Sequence, residues 1–225
     1  MSGLEAHDAG QIEPDGPEQM EITMYTPASD DEITGLVRYV DQQLEAIRAA
    51  AIGLTEEQVR STPCRSTLSI GGLVKHATYC MRGTTRRLAE GEVGTALDPE
   101  AFAAYEGSFA LSEDETAEGA LVDFDDARVA YLAAIAATDP GAPSVEPPAP
   151  WFGIFDARPS NARFNLVHQV EEMARHAGHA DIIREQIDGV SVPQIVLSLA
   201  GAPENDFFKV YVPAPGTVGS GATVS

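Results

Sequence analysis

Four segments of the chain carry apolar residues at three- and four-residue steps, which is the spacing of an amphipathic α-helix. Each segment begins near a helix-capping signal or after a break in the chain, and the last one stops at Asp188-Gly189. The predicted starts are Ser29 with Glu32, Ser69, Ser112 with Glu115, and about Arg163. Because connections of uneven length join these segments, they predict an all-α fold, a four-helix bundle with irregular N- and C-terminal extensions.

The chain has 225 residues, of which 44% are hydrophobic, and this favours one domain with tails over two domains. Residues 1–28 are acidic and rich in proline and glycine, so we expect a disordered tail. The bundle is assigned to residues 29–189, and residues 190–225 are expected to be a partly disordered extension. Three stretches are predicted to lack helix: the irregular 94–112, the proline-rich 139–160 and a strand-like run at 194–199.

The net charge of −21 argues against partners that need clustered basic residues. We therefore expect no binding to nucleic acid or to anionic membrane surfaces. No apolar run approaches the roughly 18 residues of a membrane-spanning helix, and the acidic start lacks the basic region of a signal peptide. These features predict a cytoplasmic protein whose two cysteines are free thiols.

Four of the five histidines fall on two of the predicted helices, one on the second and three on the fourth. On the fourth helix, Glu172 and His176 are four residues apart, so an oxygen and a nitrogen can converge on one ion. His76, at the edge of the apolar face of the second helix, can supply a third donor across the bundle. Two histidines and one carboxylate leave coordination positions open, as in catalytic metal sites. The pattern therefore predicts a single metal ion at these three residues.

Other roles for these side chains stay open at this stage. A histidine or glutamate at the edge of a core often forms only local hydrogen bonds. His179 is an alternative ligand, and His168 lies one turn from Glu172, where it could orient that carboxylate. Cys80, four residues after His76, could also bind the ion, but a small buried thiol is the favoured interpretation. The sequence lacks the common motifs of nucleotide-binding proteins, serine hydrolases and zinc proteases.

Two motifs, residues 68–76 (LSIGGLVKH) and residues 166–185 (LVHQVEEMARHAGHADIIRE), resemble the DinB-like superfamily. The chain looks most similar to the actinobacterial branch of mycothiol S-transferases, over the whole predicted bundle. The resemblance implies a four-helix bundle that binds a divalent ion, often zinc, through His76, Glu172 and His176. Many relatives have histidine in place of Glu172, whereas mycothiol-dependent maleylpyruvate isomerases are similar in using a His, Glu, His set.

The resemblance also implies a function. A low-molecular-weight thiol such as mycothiol would be activated by the metal ion and attack an electrophilic small molecule, giving a thioether. Isomerisation or hydrolysis at the same ion, and a bundle that binds a metal or ligand without turnover, are the alternatives. Trp151, Phe152 and the Phe207-Phe208 pair are candidates for the pocket wall. The oligomeric state stays open, with a homodimer among the alternatives.

Overall fold

The computed structural model describes residues 30–90, 99–149 and 152–221. Within these ranges the chain forms seven helices and one antiparallel two-stranded sheet. In chain order they are α1 (Glu32–Ala49), α2 (Glu56–Arg60), α3 (Ile70–Glu90), α4 (Pro99–Gly107), α5 (Ala117–Ala136), β1 (Pro143–Glu146), β2 (Arg158–Asn161), α6 (Ala162–Asp188) and α7 (Val192–Leu199). The tail predicted for residues 1–28 lies outside the described residues. No helix in the described part of the chain is both long and apolar enough to cross a membrane.

The four longest helices, α1, α3, α5 and α6, enclose the core. Both α1 and α3 pack against α5 and against α6, and all four helices contribute fully buried side chains. These include Leu44 and Ile47 of α1, Leu73 and Met81 of α3, Phe124 and Tyr131 of α5, and Leu166 and Met173 of α6. The prediction of a mostly helical protein is confirmed, whereas the DinB-like four-helix bundle stays a prediction.

The first helix begins later than predicted. Its N-cap is Asp31, whose carboxylate accepts hydrogen bonds from two backbone N–H groups of the first turn at 3.1 and 3.0 Å. The predicted cap, Ser29, lies outside the described residues. The predicted cap of α3 is confirmed, because the hydroxyl of Ser69 accepts a hydrogen bond from the N–H of Gly72 at 3.1 Å.

The start of α5 is also later than predicted, because the predicted capping residues form a separate turn. The carboxylate of Glu115 accepts a hydrogen bond from the N–H of Ser112 at 2.6 Å and pairs with Lys75 of α3 at 2.7 Å. The helix starts after Thr116, whose hydroxyl caps the N–H of Gly119 at 3.1 Å. The predicted cap at Ser112 is therefore wrong, and its partner Glu115 anchors the turn to α3.

The ends of α6 lie close to their predicted places. Asn161 caps the N–H of Phe164 at 3.1 Å, so the helix begins one residue before the predicted start. At the other end Gly189 has a left-handed φ of 78°, which glycine adopts without a steric penalty. The helix has 27 residues and carries three of the histidines singled out in the sequence.

Two stretches predicted to be irregular contain regular structure. α4 lies within 94–112, and its signal is the three-residue step from Phe102 to Tyr105, which Phe109 continues two residues beyond the end of the helix. The proline-rich residues 139–160 include β1 and most of β2, which pair in antiparallel register. A two-stranded ribbon leaves one edge of each strand unpaired, and proline is tolerated at such an edge. The prediction that proline excludes a strand here is therefore wrong.

The strand-like run predicted at 194–199 is part of α7 instead. The period of a short apolar run does not separate a strand from a helix, and Pro193 lies in the first turn, where its missing N–H costs nothing. Beyond α7 the chain returns to the end of α1. There the backbone of Val218 accepts a hydrogen bond from Gly53 at 2.8 Å and donates one to Leu54 at 2.9 Å.

A buried arginine of α6 joins the end of α1 to the C-terminal segment. Arg184 is 0% exposed, and its guanidinium donates hydrogen bonds to the carbonyl oxygens of Ala50 and Ile52 at 2.9 and 2.6 Å. It also pairs with Asp188 at 2.8 Å and donates to the hydroxyl of Tyr211 at 2.9 Å. These bonds satisfy carbonyl groups that the end of a helix leaves without a helical partner.

Replacing Arg184 with methionine is expected to destabilise the fold by about 3–5 kcal/mol, because buried carbonyl groups and Asp188 lose their partner. The matched control is Arg163→Met on the same helix, whose exposed ion pair with Glu32 should contribute little. Urea unfolding followed by circular dichroism measures both variants. Equal losses of stability would contradict the role given to Arg184.

Candidate functional site

A pair of glycines holds the beginning of α3 against the segment that follows α4. A methyl group on Gly72 would lie 2.0 Å from the carbonyl oxygen of Phe109, and one on Gly71 would lie 2.7 Å from the side chain of Leu111. Both separations are well below van der Waals contact, so this approach requires residues without a side chain. The glycine pair therefore sets where this segment lies relative to His76, one turn further along α3.

His76 is buried, and its two ring nitrogens have different surroundings. The residue is 3% exposed, its ring stacks on Phe109 with centroids 4.0 Å apart, and Nδ1 lies 2.8 Å from the hydroxyl of Ser108. That hydroxyl donates its own hydrogen to the carbonyl oxygen of Tyr105 at 2.6 Å. Nδ1 must therefore be the donor to Ser108. Nε2 is then the unprotonated nitrogen, and it faces the sulfur of Cys80 at 3.4 Å.

The ring of His176 on α6 meets the ring of His76 on α3. Their centroids are 4.9 Å apart and their planes are inclined by 69°. His176 is 8% exposed, and its Nδ1 is buried without a hydrogen-bond partner among the described residues. A buried nitrogen without a partner costs about 1–3 kcal/mol, so an ion or molecule bound there would stabilise the fold.

Burial keeps both imidazoles neutral at neutral pH. It lowers the pKa of His76 from 6.5 to about 4, with a contribution of the same sign from the nearby His176. Burial also lowers the pKa of His176, against the opposing effect of the Glu172 carboxylate. The pKa of the Cys80 thiol is raised to about 12 by burial and by the charge of Glu172. The cluster without a metal therefore contains neutral imidazoles and a protonated thiol.

Glu172, the third predicted ligand, lies at the edge of this cluster. Its side chain is 35% exposed, and its carboxylate is 3.8 Å from the guanidinium of Arg175. It interacts electrostatically with both His176 and Cys80. Within the described residues, this carboxylate is thus the negative charge that acts on both His176 and Cys80, which are neutral without a metal.

The other two histidines of α6 have different surroundings. The ring centroid of His179 is 5.8 Å from that of His176, and its Nδ1 is also buried with no partner in the described ranges. His168 is exposed, and its Nδ1 lies 3.0 Å from the carboxylate of Glu171. The structure therefore pairs His168 with Glu171, and not with Glu172 as the sequence suggested.

The donor chemistry fits a divalent ion, although the donors do not surround one point. Within residues 30–90, 99–149 and 152–221, no group of three or more His, Cys, Asp or Glu side chains is placed to hold a metal ion. Two neutral imidazoles and a carboxylate are nevertheless donors that zinc commonly uses. Nδ1 of His176 has no hydrogen bond to another described residue, so binding a metal ion would break none. The metal centre at His76, Glu172 and His176 stays a prediction.

The comparison with known proteins agrees with the resemblance found in the sequence. A family model described as mycothiol-S-transferase matches residues 35–189, which is more than half of the chain. The chain belongs to the mycothiol-S-transferase family. The matched range ends just beyond α6 and contains all three predicted ligands, and the family name indicates a thiol S-transferase-like role. No curated protein and no solved structure matches the chain.

Two residues around the site of this mycothiol-S-transferase family member were missed by the sequence analysis. Ser108 and Phe109 both contact the ring of His76. They follow α4, in a stretch predicted to be irregular, and the aromatic spacing of that stretch is the one local signal for them. Their contact with α3 depends on residues that are far away in the sequence, so no local pattern places them in the site.

A cavity of about 810 Å³ lies between α3, α4 and α5. Tyr79 and Ser108 form part of its wall, and both contact the His76 ring. The wall also carries two ion pairs, Lys75 with Glu115 at 2.7 Å and Arg82 with Asp123 at 3.4 Å. Ser108 is hydrogen-bonded to Nδ1 of His76. The cavity therefore borders the Nδ1 side of the imidazole, and Cys80 lies at the other nitrogen, Nε2.

The residues predicted to form a pocket wall lie elsewhere. Phe152 is 79% exposed and is not part of the wall of this cavity. Trp151 lies outside the described residues. Of the Phe207-Phe208 pair, Phe208 is buried and Phe207 is fully exposed. Burial within the fold accounts for Phe208 without a ligand.

Gly72→Ala is expected to destabilise the protein by about 1–3 kcal/mol, because the added methyl group would displace the backbone of Phe109. Gly83→Ala on the same helix is the matched control. Its nearest neighbour is the side chain of Arg87 at 3.6 Å, so this change should stabilise α3 by about 0.5–1 kcal/mol. Urea unfolding measures both changes. Effects of the same sign would contradict the close contact at Gly72.

The neutral state of His76 predicts that acid destabilises the metal-free protein. The unfolded chain binds this proton at a pKa near 6.5, whereas the folded chain does so only at about 4. Between these values the unfolded state holds more protons. The stability due to His76 is therefore complete above 6.5 and falls by up to about 3 kcal/mol as the pH drops to 4. Urea unfolding in the presence of a chelator measures this loss. His76→Gln should depend less on pH, and identical pH profiles would contradict the assignment.

Proposed function

We propose that the protein is a metal-dependent thiol S-transferase in which a divalent ion, with zinc favoured, activates a low-molecular-weight thiol such as mycothiol. His76, Glu172 and His176 are the proposed ligands. The observation that carries the proposal is the buried contact between His76 and His176, two neutral imidazoles from different helices with centroids 4.9 Å apart. Membership of the mycothiol-S-transferase family supports the thiol as cosubstrate.

Ser108 prepares His76 for metal binding. By accepting the hydrogen bond from Nδ1–H, it leaves the lone pair on Nε2 and fixes the orientation of the ring. Metal-binding histidines are commonly oriented in this way by a partner at the other ring nitrogen. The stacked ring of Phe109 covers one face of the imidazole and adds to the burial that keeps it neutral.

Glu172 supplies the negative charge of the three-donor set, since His76 and His176 are neutral. A divalent ion bound by these donors would supply Lewis acidity that lowers the pKa of a thiol ligand. The thiol proton would pass to solvent, and the sulfur would form a bond to an electrophilic carbon. In a substitution the leaving group would depart with its bonding electron pair. In an addition the double-bond pair would move to the neighbouring carbon, which would then take a proton from solvent.

Metal content and thiol conjugation measured on the same preparations test the proposal. Wild type and Glu171→Gln are expected to carry about one divalent ion per chain, because Glu171 is exposed and pairs with Arg175 and His168. His176→Ala and Glu172→Gln should lose the ion, and with it the conjugation of mycothiol to alkyl halides and activated alkenes. The adjacent carboxylates of Glu171 and Glu172 make the two glutamine variants a matched pair.

Three outcomes would contradict the proposal. Folded wild type that holds no ion and cannot be reloaded would refute the metal centre. Loss of the ion from Glu171→Gln as well as from Glu172→Gln would refute the assignment of the carboxylate ligand. Loaded protein that conjugates no thiol would refute the transferase activity and direct attention to isomerisation, hydrolysis or binding without turnover.

A further inference from the structure

We propose that Arg87 forms an anion subsite beside the proposed metal centre and binds a carboxylate of the electrophilic substrate, an inference that rests on the proposed function. Arg87 follows His76, Cys80 and Gly83 at steps of four, three and four residues. This spacing places all four residues on one face of α3. Mycothiol itself has no carboxylate, so the bound anion would belong to the other reactant.

The side chain of Arg87 turns back along α3 in the direction of His76. Its Nη1 lies 3.6 Å from the place that a methyl group on Gly83 would occupy, so the guanidinium is about one turn closer to His76 than its own Cα atom. Gly83 is about 10 Å beyond His76 along the helix axis. The charge of the guanidinium also acts on Cys80, which lies nearer still to His76. A carboxylate at Arg87 and a reacting carbon beside the proposed ion would thus be several bonds apart in one small molecule.

A buried hydrogen-bond network holds the guanidinium in place. Nη2 of Arg87 donates to the hydroxyl of Thr84 at 2.8 Å, and that hydroxyl donates to the side-chain oxygen of Gln169 at 3.1 Å. The same oxygen accepts a second hydrogen bond from the hydroxyl of Tyr131 at 3.1 Å. Thr84, Gln169 and Tyr131 are all buried. Side chains of α3, α5 and α6 therefore orient Arg87, and an oriented group binds a ligand at a smaller cost in entropy.

No carboxylate balances the charge of Arg87 in the described part of the chain. Eleven of the fourteen lysine and arginine residues form an ion pair within 4.0 Å there, and Arg87 is one of the three that do not. Desolvation lowers its pKa, whereas burial raises the pKa values of its neighbours Cys80 and Tyr131, so both neighbours are neutral at neutral pH. The guanidinium stays charged and has five N–H donors, so a bound carboxylate would gain charge-assisted hydrogen bonds.

Two alkyl halides that differ in charge test this inference. 4-(Chloromethyl)benzoate carries a carboxylate, and 4-(chloromethyl)benzamide carries a neutral amide in the same place. For conjugation to mycothiol, Arg87→Gln is expected to lower kcat/KM for the benzoate by about tenfold or more, mainly through KM, because a hydrogen-bonded charge is lost. The value for the benzamide should change little. Arg86→Gln is the matched control, since it removes the same charge from the neighbouring residue, and it should leave both values near those of wild type.

Binding of 4-methylbenzoate to the protein in the presence of a chelator, followed by an NMR titration, gives a readout that does not depend on activity. Wild type and Arg86→Gln should bind this anion, and Arg87→Gln should bind it about tenfold more weakly. If Arg87→Gln fails to fold, Arg87→Lys and Arg86→Lys replace the glutamine pair. Lysine keeps the charge but lacks the paired donors of a guanidinium, so weaker binding is then expected for Arg87→Lys alone.

The outcomes separate this inference from the proposed function. Equal losses for both halides in Arg87→Gln, or equal effects of the substitutions at Arg86 and Arg87, would overturn the subsite and leave the transferase in place. Wild type that does not bind 4-methylbenzoate would overturn the subsite as well. If loaded wild type conjugates neither halide, the transferase falls. The anion subsite then stands if binding of 4-methylbenzoate depends on Arg87, and falls if it does not.

Discussion

The position of α6 along α1 depends on the buried guanidinium of Arg184. Its hydrogen bonds to the carbonyl oxygens of Ala50 and Ile52 fix the C-terminal half of α6 to the end of α1. At the other end of α6, Arg163 pairs with Glu32 in the first turn of α1. That second pair is exposed and contributes little, so the buried bonds of Arg184 and the packing of α6 along α1 hold the residues halfway along α6 in place. The contact between the two histidines lies on this middle stretch of α6.

The histidine contact does not by itself stabilise the fold. Burial removes both imidazoles from water and holds their pKa values below the usual range, and Nδ1 of His176 has no partner within the described residues. An apolar pair in the same place would carry neither cost. Ser108 and Phe109 then add order around one of the two rings. Sites that weaken a core in this way are characteristic of function, because a bound ligand recovers the lost stability.

The sequence predicts the long helices, but not the contacts that arrange the site on them. The apolar period, the Ser69 cap and the left-handed glycine after α6 are local signals, so α3 and α6 lie close to their predicted places. Ser108 reaches His76 through the contact at Gly72, which joins residues far apart in the sequence and leaves no periodic trace. The sequence does not identify the neighbour of Cys80 for the same reason. The sulfur of Cys80 faces Nε2 of His76, and the hydrogen bond from Nδ1 to Ser108 leaves that nitrogen without a proton.

The charge of the proposed donors would link thiol chemistry to this particular core. A ligand that stays neutral, such as an amine, would leave a divalent ion beside Glu172 with one uncompensated positive charge, in a place where little solvent reaches. At the proposed metal centre a thiol would lose its proton to solvent and bind as an anion, so it would neutralise the charge whichever molecule it belonged to. The burial of His76 and His176 increases this difference, because charge interactions strengthen where water is excluded. A site with two neutral imidazoles and one carboxylate would therefore favour a ligand that ionises on binding, such as a thiol, over one that stays neutral, as a thiol S-transferase requires.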